Sequence, residues 1–138
     1  MIGQKTNPRR AASHRASLRR RVRSFYLRFN QEDWDRCFLF LDPNLRSKDK
    51  VNPGVYQESL ASFKNRHGSI KIWHIDLNLY LEPGTNKRDD RPFAYVYVFW
   101  QDEQKAFHVF RERWVQDGKK WFTRVVGLVS HTKKGAPS

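Results

Sequence analysis

The chain predicts an α+β fold, with helices at its N-terminal side packed on a mostly antiparallel sheet. Three observations carry this. Residues 92–129 read PFAYVYVFWQDEQKAFHVFRERWVQDGKKWFTRVVGLV, three aromatic and β-branched runs split by two polar turns. Residues 69–81 form a further long alternating run, and apolar residues before Gly68 recur at helical spacing instead. Periods of 3.6 and of 2 are the two patterns that a half-buried helix and a half-buried strand impose.

The first helix is expected to start with Ser17 as its N-cap. Leu18, Val22, Phe25, Tyr26 and Phe29 then follow at i, i+4, i+7, i+8 and i+11, one stripe of a helix, with the arginines on the other side. Asn30 interrupts, and Asp33 opens a short second helix carrying Trp34, Phe38 and Leu41. Asp42-Pro43 ends it, because proline disfavours helical geometry in the residue before it. A polar loop, 44–51, leads to Asn52-Pro53, a cap followed by proline at the first helical position. The third helix carries Tyr56, Leu60 and Phe63 inward and stops at Gly68.

In the first strand, Ile70, Ile72, His74, Asp76, Asn78 and Tyr80 alternate with Trp73, Ile75, Leu77, Leu79 and Leu81. A flexible, charged connection, 82–92, follows. Asp117-Gly118 is a strong two-residue hairpin signal, because the favoured turn needs positive φ at its centre. Placing it centrally sets Trp114 opposite Trp121. Placing Asp102-Glu103 centrally sets Tyr97 opposite His108 and Phe99 opposite Ala106. One face then collects Tyr95, Tyr97, Phe99, His108, Phe110, Glu112, Trp114, Trp121 and Thr123, and is expected to meet the helices. The other collects Val96, Val98, Trp100, Lys105, Phe107, Val109, Arg111, Arg113, Lys120, Phe122 and Arg124. Arginine and lysine resist burial more than tyrosine and tryptophan do.

Composition limits the functions available. The 138 residues suit one domain, and twenty aromatic side chains provide ample area for one core. Cys37 stands alone, so no intrachain disulfide forms and a reducing compartment is suitable. No apolar run approaches the roughly 20 residues of a spanning helix. The net charge of +13 is uneven: residues 1–28 hold nine basic residues and no acid. This divides the chain into a basic, flexible arm (1–16), a globular domain (17–131) and a tail (132–138). The Arg- and Ser-rich start also has the composition of a mitochondrial presequence, an alternative to a cytoplasmic setting.

The segments FYLRFNQEDWDRCFLFLDPNLR (25–46) and RERWVQDGKKWFTRVV (111–126) resemble the opening helix pair and closing hairpin of the nuclear transport factor 2-like superfamily. The resemblance implies a cone in which the helices cover a curved sheet. It also implies that any acid/base chemistry lies inside the cone, and that the outer sheet face can pair two copies into a homodimer. On that implication the catalytic candidates are His108, Glu112 and Tyr97, joined by His74 and Asp76 if their strand face points inward. Tyr95, Phe99, Phe110, Trp114, Trp121 and Thr123 would line the pocket. A histidine–carboxylate pair with a nearby tyrosine suits proton abstraction next to a carbonyl, as in a lyase or isomerase.

The basic residues support a reading of another class, and it is the stronger one. Arg9, Arg10, Arg15, Arg19, Arg20, Arg21 and Arg23, with Arg111, Arg113 and Arg124 on the outer sheet face, suit the phosphates of RNA or another polyanion. The chain then acts as a non-enzymatic binding or assembly module. No cofactor is implied. His14, His67, His74, His108 and His131 are scattered without metal-ligand spacing, so no metal site is expected.

Overall fold

The computed structural model describes residues 8–47, 50–82 and 89–128, and the backbone at 131–132. Among the described residues four helices, α1 (Pro8–Asn30), α2 (Trp34–Phe38), α3 (Pro43–Arg46) and α4 (Pro53–His67), precede five strands. These are β1 (Lys71–Tyr80), β2 (Phe93–Gln101), β3 (Phe107–Asp117), β4 (Lys120–Thr123) and β5 (His131–Thr132). The sheet is antiparallel in the order β1-β2-β3-β4, with β5 pairing the N-terminal end of β3. Helices cover one face, giving an α+β architecture whose sheet is not closed. No helix among the described residues is long and apolar enough to cross a membrane.

The expected stripe on α1 is the buried one: Leu18, Val22, Phe25, Tyr26 and Phe29. The helix nevertheless begins at Pro8, nine residues before the expected cap. Ser17 lies inside it and its hydroxyl donates back to the His14 carbonyl at 3.4 Å. Ala11, Ala12 and Ala16 favour helix, and nothing from 9 to 16 interrupts it. This early turn is also docked: His14 sets its ring edge on Trp121 at 5.9 Å, and Arg15 donates to the Leu77 carbonyl at 3.2 Å. The described part of the supposed arm is therefore helix; residues 1–7 and 133–138 lie outside the described residues.

Asp33 and Asn52 cap α2 and α4, accepting from the Arg36 and Val55 amides. At its other end α4 closes on Gly68, whose φ of 78° suits glycine. The segment expected as a polar loop contains α3, capped by Asp42. Asn30 behaves like a piece of strand: its amide donates to the Ile70 carbonyl at 2.9 Å and accepts from the Ile70 amide at 2.8 Å. That pair sets the start of β1 against the end of α1.

Two register findings decide which side chains meet the helices. Gln101 pairs with Phe107, so β2 and β3 are joined by five residues instead of two, and Trp100 faces His108 while Val98 faces Phe110. Asp102 closes this loop by accepting the Ala106 amide at 2.9 Å, and Lys105 takes a φ of 66°. Relative to the expected pairing, β2 is shifted by three residues, an odd number, so its two faces exchange. The β3–β4 turn centres on Gly118-Lys119, pairing Trp114 with Thr123 and Asp117 with Lys120. That is a shift of two, and it leaves the faces as expected.

β1 changes phase as well. A bulge between Ile72 and His74 leaves Trp73 unpaired. Ile70 and Ile72 point inward before it, and Ile75, Leu77 and Leu79 after it. The core unites these with Ala94, Val96, Val98 and Trp100 of β2, with Phe110, Trp114 and Trp121, and with the helical stripes. A second, smaller cluster, Phe93, Val115 and Phe122, lies apart from it with Tyr80 and Tyr95 packed alongside.

Candidate functional site

β3 and β4 present His108, Phe110, Glu112, Trp114, Trp121 and Thr123 to the helical layer, and all six are buried. Tyr95, Tyr97 and Phe99 do not join them. The exchange of faces on β2 places all three on the outer side, where Tyr97 sits opposite Asp76 and Phe99 opposite His74. His74 and Asp76 are exposed there and bonded to each other at 2.7 Å. The structure thus separates the five catalytic candidates between two faces of one sheet.

The inner groups are engaged with other partners. Tyr26 donates its hydroxyl to one Glu112 oxygen, and the Trp114 indole N–H donates to the other at 2.8 Å. His108 pairs with Asp102 at 2.8 Å instead of with Glu112. Burial pushes the Glu112 carboxyl up to about 7, against the opposing pull of the Tyr26 and Trp114 hydrogen bonds. Tyr26, Tyr56, Trp100, Trp114 and Trp121 occupy the space between sheet and helices, with Tyr26 stacked on Phe110 at 5.5 Å. Cys37 is buried in the same layer, and burial pushes its thiol up to about 12, far from a reactive thiolate.

The basic residues divide into three groups. Arg9, Arg10, Arg20 and Arg23 are exposed on α1, and Arg19 is half-buried. On the outer sheet side Arg111 is exposed, Arg113 lies over the Phe93 ring at 4.3 Å, and Arg124 is paired with Asp42 at 2.6 Å. The expected alternation of cations with exposed rings on that face is therefore corrected. Trp100 points into the core, Phe122 is buried, and of those three rings Phe107 alone stays exposed.

Arg21 heads the third group. Its Nε donates to the Trp121 carbonyl at 2.9 Å, and its guanidinium lies over Phe40 at 4.1 Å and Phe122 at 5.1 Å. Arg46 approaches from α3, donating to the Leu41 carbonyl at 2.7 Å with its guanidinium 5.8 Å from Phe122. With Arg28, Arg36 and Lys120 they line an open groove of about 450 Å³. Arg36 is held by Asp33 at 3.5 Å. Among the described residues no carboxylate pairs with Arg21, Arg46 or Lys120. Burial and then the charge of Arg46 depress the Arg21 pKa, as like charges crowded without an acid must. An anion entering here would relieve that repulsion.

Arg28, Arg36 and Arg46 were not singled out from sequence as binding residues. Arg28 was within reach, since it follows Arg21 at i+7 on one helical stripe. Arg36, Arg46 and Lys120 arrive only through the packing of α2, α3 and β4. A second network was equally hidden. Asp42, fully buried, accepts from both terminal nitrogens of Arg91 at 2.8 Å, from Arg124 and from the Asn44 amide. Arg91 also binds Asp89 and Asp117. The connection 82–92 thus ends in an anchor; its residues 83–88 lie outside the described residues.

Comparison with known proteins finds no matching family model, curated protein or solved structure. The functional reading therefore rests on the geometry above.

Proposed function

We propose that this protein is a non-enzymatic binding module that takes up the phosphate backbone of RNA along the α1 arginines and the groove beside them. The observation that carries this is the cluster of Arg21, Arg46 and Lys120, drawn together with no carboxylate partner among the described residues. Keeping like charges adjacent costs free energy, and a phosphate returns it through paired, charge-assisted hydrogen bonds. Phe40 and Phe122 are too covered to stack on bases. Recognition is thus by charge and shape, since phosphate contacts set position without reading sequence. A catalytic cone is the weaker reading, because both Glu112 oxygens and the His108–Asp102 pair are already engaged within the fold.

The test is fluorescence anisotropy with single-stranded RNA of mixed sequence, at rising salt. Binding that weakens steeply with salt and is reduced in Arg21→Gln/Arg46→Gln supports the proposal. Binding absent at low salt, or unaltered by that double variant, overturns it.

We further propose that the architecture is a variant of the nuclear transport factor 2-like cone and that two copies pair through the outer sheet face. Trp73 and Phe107 are 56% and 54% exposed on that face, and Trp73 packs on Phe99 at 5.5 Å and Phe107 at 6.1 Å. An aromatic patch of this kind favours cover by another surface. The buried Cys37 thiol suits a reducing setting such as the cytoplasm.

A further inference from the structure

His67, Asp102 and His108 come from three elements: the last residue of α4, the residue following β2, and the second residue of β3. One ring nitrogen of each histidine and a carboxylate oxygen of Asp102 all lie within 4.8 Å of one another. The Asp102 and His108 side chains are only 7% and 6% exposed, and His67 stands half-buried at the rim. Asp102 has an oxygen 2.8 Å from His108 Nε2.

The positions of these groups are held from behind. Trp100 stacks on the His108 ring at 4.3 Å, and Phe63 lies 4.4 Å from the His67 ring. The two imidazoles face each other at 5.6 Å, steeply inclined. The other Asp102 oxygen accepts the Ala106 amide at 2.9 Å, so its carboxylate is oriented by backbone. Partners behind the ligands, which fix ring planes and carboxylate orientation, are what tune a metal centre. A site whose rotamers are already fixed loses little entropy on binding.

We propose that His67, Asp102 and His108 form a binding site for a divalent first-row transition cation, represented by Zn²⁺. Two imidazoles and one carboxylate suit Zn²⁺ or Co²⁺ and disfavour the all-oxygen coordination of Mg²⁺ and Ca²⁺. Three protein ligands leave a position for water on the open side. To bind, His108 takes the neutral tautomer with its hydrogen on Nδ1, exchanged through solvent, so that the Nε2 lone pair meets the cation and the pair with Asp102 opens slightly.

The test is titration of the full, untagged chain with Co²⁺, read by visible ligand-field absorption, and with Zn²⁺, read by calorimetry and thermal melting. Binding of a single equivalent with a rise in melting temperature is expected. His67→Phe keeps a ring against Phe63 and removes a ligand, so it should weaken binding at least ~10-fold. Asp102→Asn, which keeps an oxygen for the Ala106 amide, is the second variant should His67→Phe melt early without metal. His74→Ala, which breaks the exposed pair with Asp76, should bind like wild type. The proposal is overturned if wild type binds neither ion, if His67→Phe and Asp102→Asn both bind unchanged, or if His74→Ala abolishes binding.

Discussion

Arg91 clasps Asp42 through both of its terminal nitrogens, each at 2.8 Å from one carboxylate oxygen. The contact joins the entry to β2 with the cap of α3, and Asp117 and Arg124 extend it to the β3–β4 turn and the strand end beyond. An aspartate with no exposed surface is tolerated only because every lone pair it offers is met.

Arg91→Ala should therefore cost about 3 kcal/mol, near the lower end for breaking a buried pair, since Arg124 still faces the orphaned carboxylate. Urea unfolding checks this against Arg111→Ala. The latter removes an exposed charge and should stay within about 0.5 kcal/mol of wild type.

Acid should undo the same network. Desolvation acts to raise the Asp42 pKa, but hydrogen bonds from Arg91, Arg124 and the Asn44 amide prevail and hold it at about 2. A depressed carboxylate contributes its stability above its unfolded pKa and loses it as pH falls through the folded one. That contribution is on the order of 2 kcal/mol. The stability gap between wild type and Asp42→Asn should shrink as pH falls from about 4 to about 2, as followed by thermal melts.

Glu112 has the opposite sign. Its carboxyl is raised by burial to about 7, so its ionised form penalises the fold above that pH and the penalty disappears below its unfolded pKa. Wild type should gain stability as pH falls from about 8 to about 5. Glu112→Gln should abolish that slope. A Glu112→Gln profile with the slope intact would show that another group titrates there.

In the groove, Arg21→Gln/Arg46→Gln should reduce the dependence of RNA affinity on salt by about 1.4 in log–log slope, at roughly 0.7 per phosphate lost from a single strand. Lys120→Gln, an exposed change that leaves Phe40 and Phe122 covered, should lower the slope by about half as much. Equal slopes in all three proteins would place RNA elsewhere.

If two copies pair through the outer face as proposed, wild type should sediment as a dimer, and Trp73→Asp and Phe107→Asp as monomers with an unchanged far-UV spectrum. Like charges brought together across an apolar contact oppose association. A variant that stays dimeric would assign pairing to another surface.

The legible parts of the fold were those governed by one local rule. The α1 stripe follows from helical period, the ends of α4 from Asn52-Pro53 and Gly68, and the inner faces of β3 and β4 from a turn whose glycine demanded positive φ. β2 was misread because its loop is closed by a side chain, Asp102 on the Ala106 amide, which lets five residues do what two were expected to do. Tyr95, Tyr97 and Phe99 went outward with that one miscount. The start of α1 was misplaced because Ser17, a good cap in isolation, sits where alanines and docking onto Trp121 carry the helix past it. Arg46 beside Arg21, Arg91 on Asp42 and His67 near His108 are products of tertiary packing, so no spacing along the chain announces them.

The extra residue at Trp73 acts as a phase shifter. Upstream of it, even-numbered isoleucines look at the helices; downstream, odd-numbered aliphatics do. Deleting that single codon would remove the spare residue and leave strict alternation, with Ile72, Ile75, Leu77 and Leu79 still toward the helices and His74, Asp76 and Asn78 still outside. A one-residue loss at this point would thus be absorbed far better than the same loss between Ile75 and Leu79, where no spare residue exists and the faces would exchange.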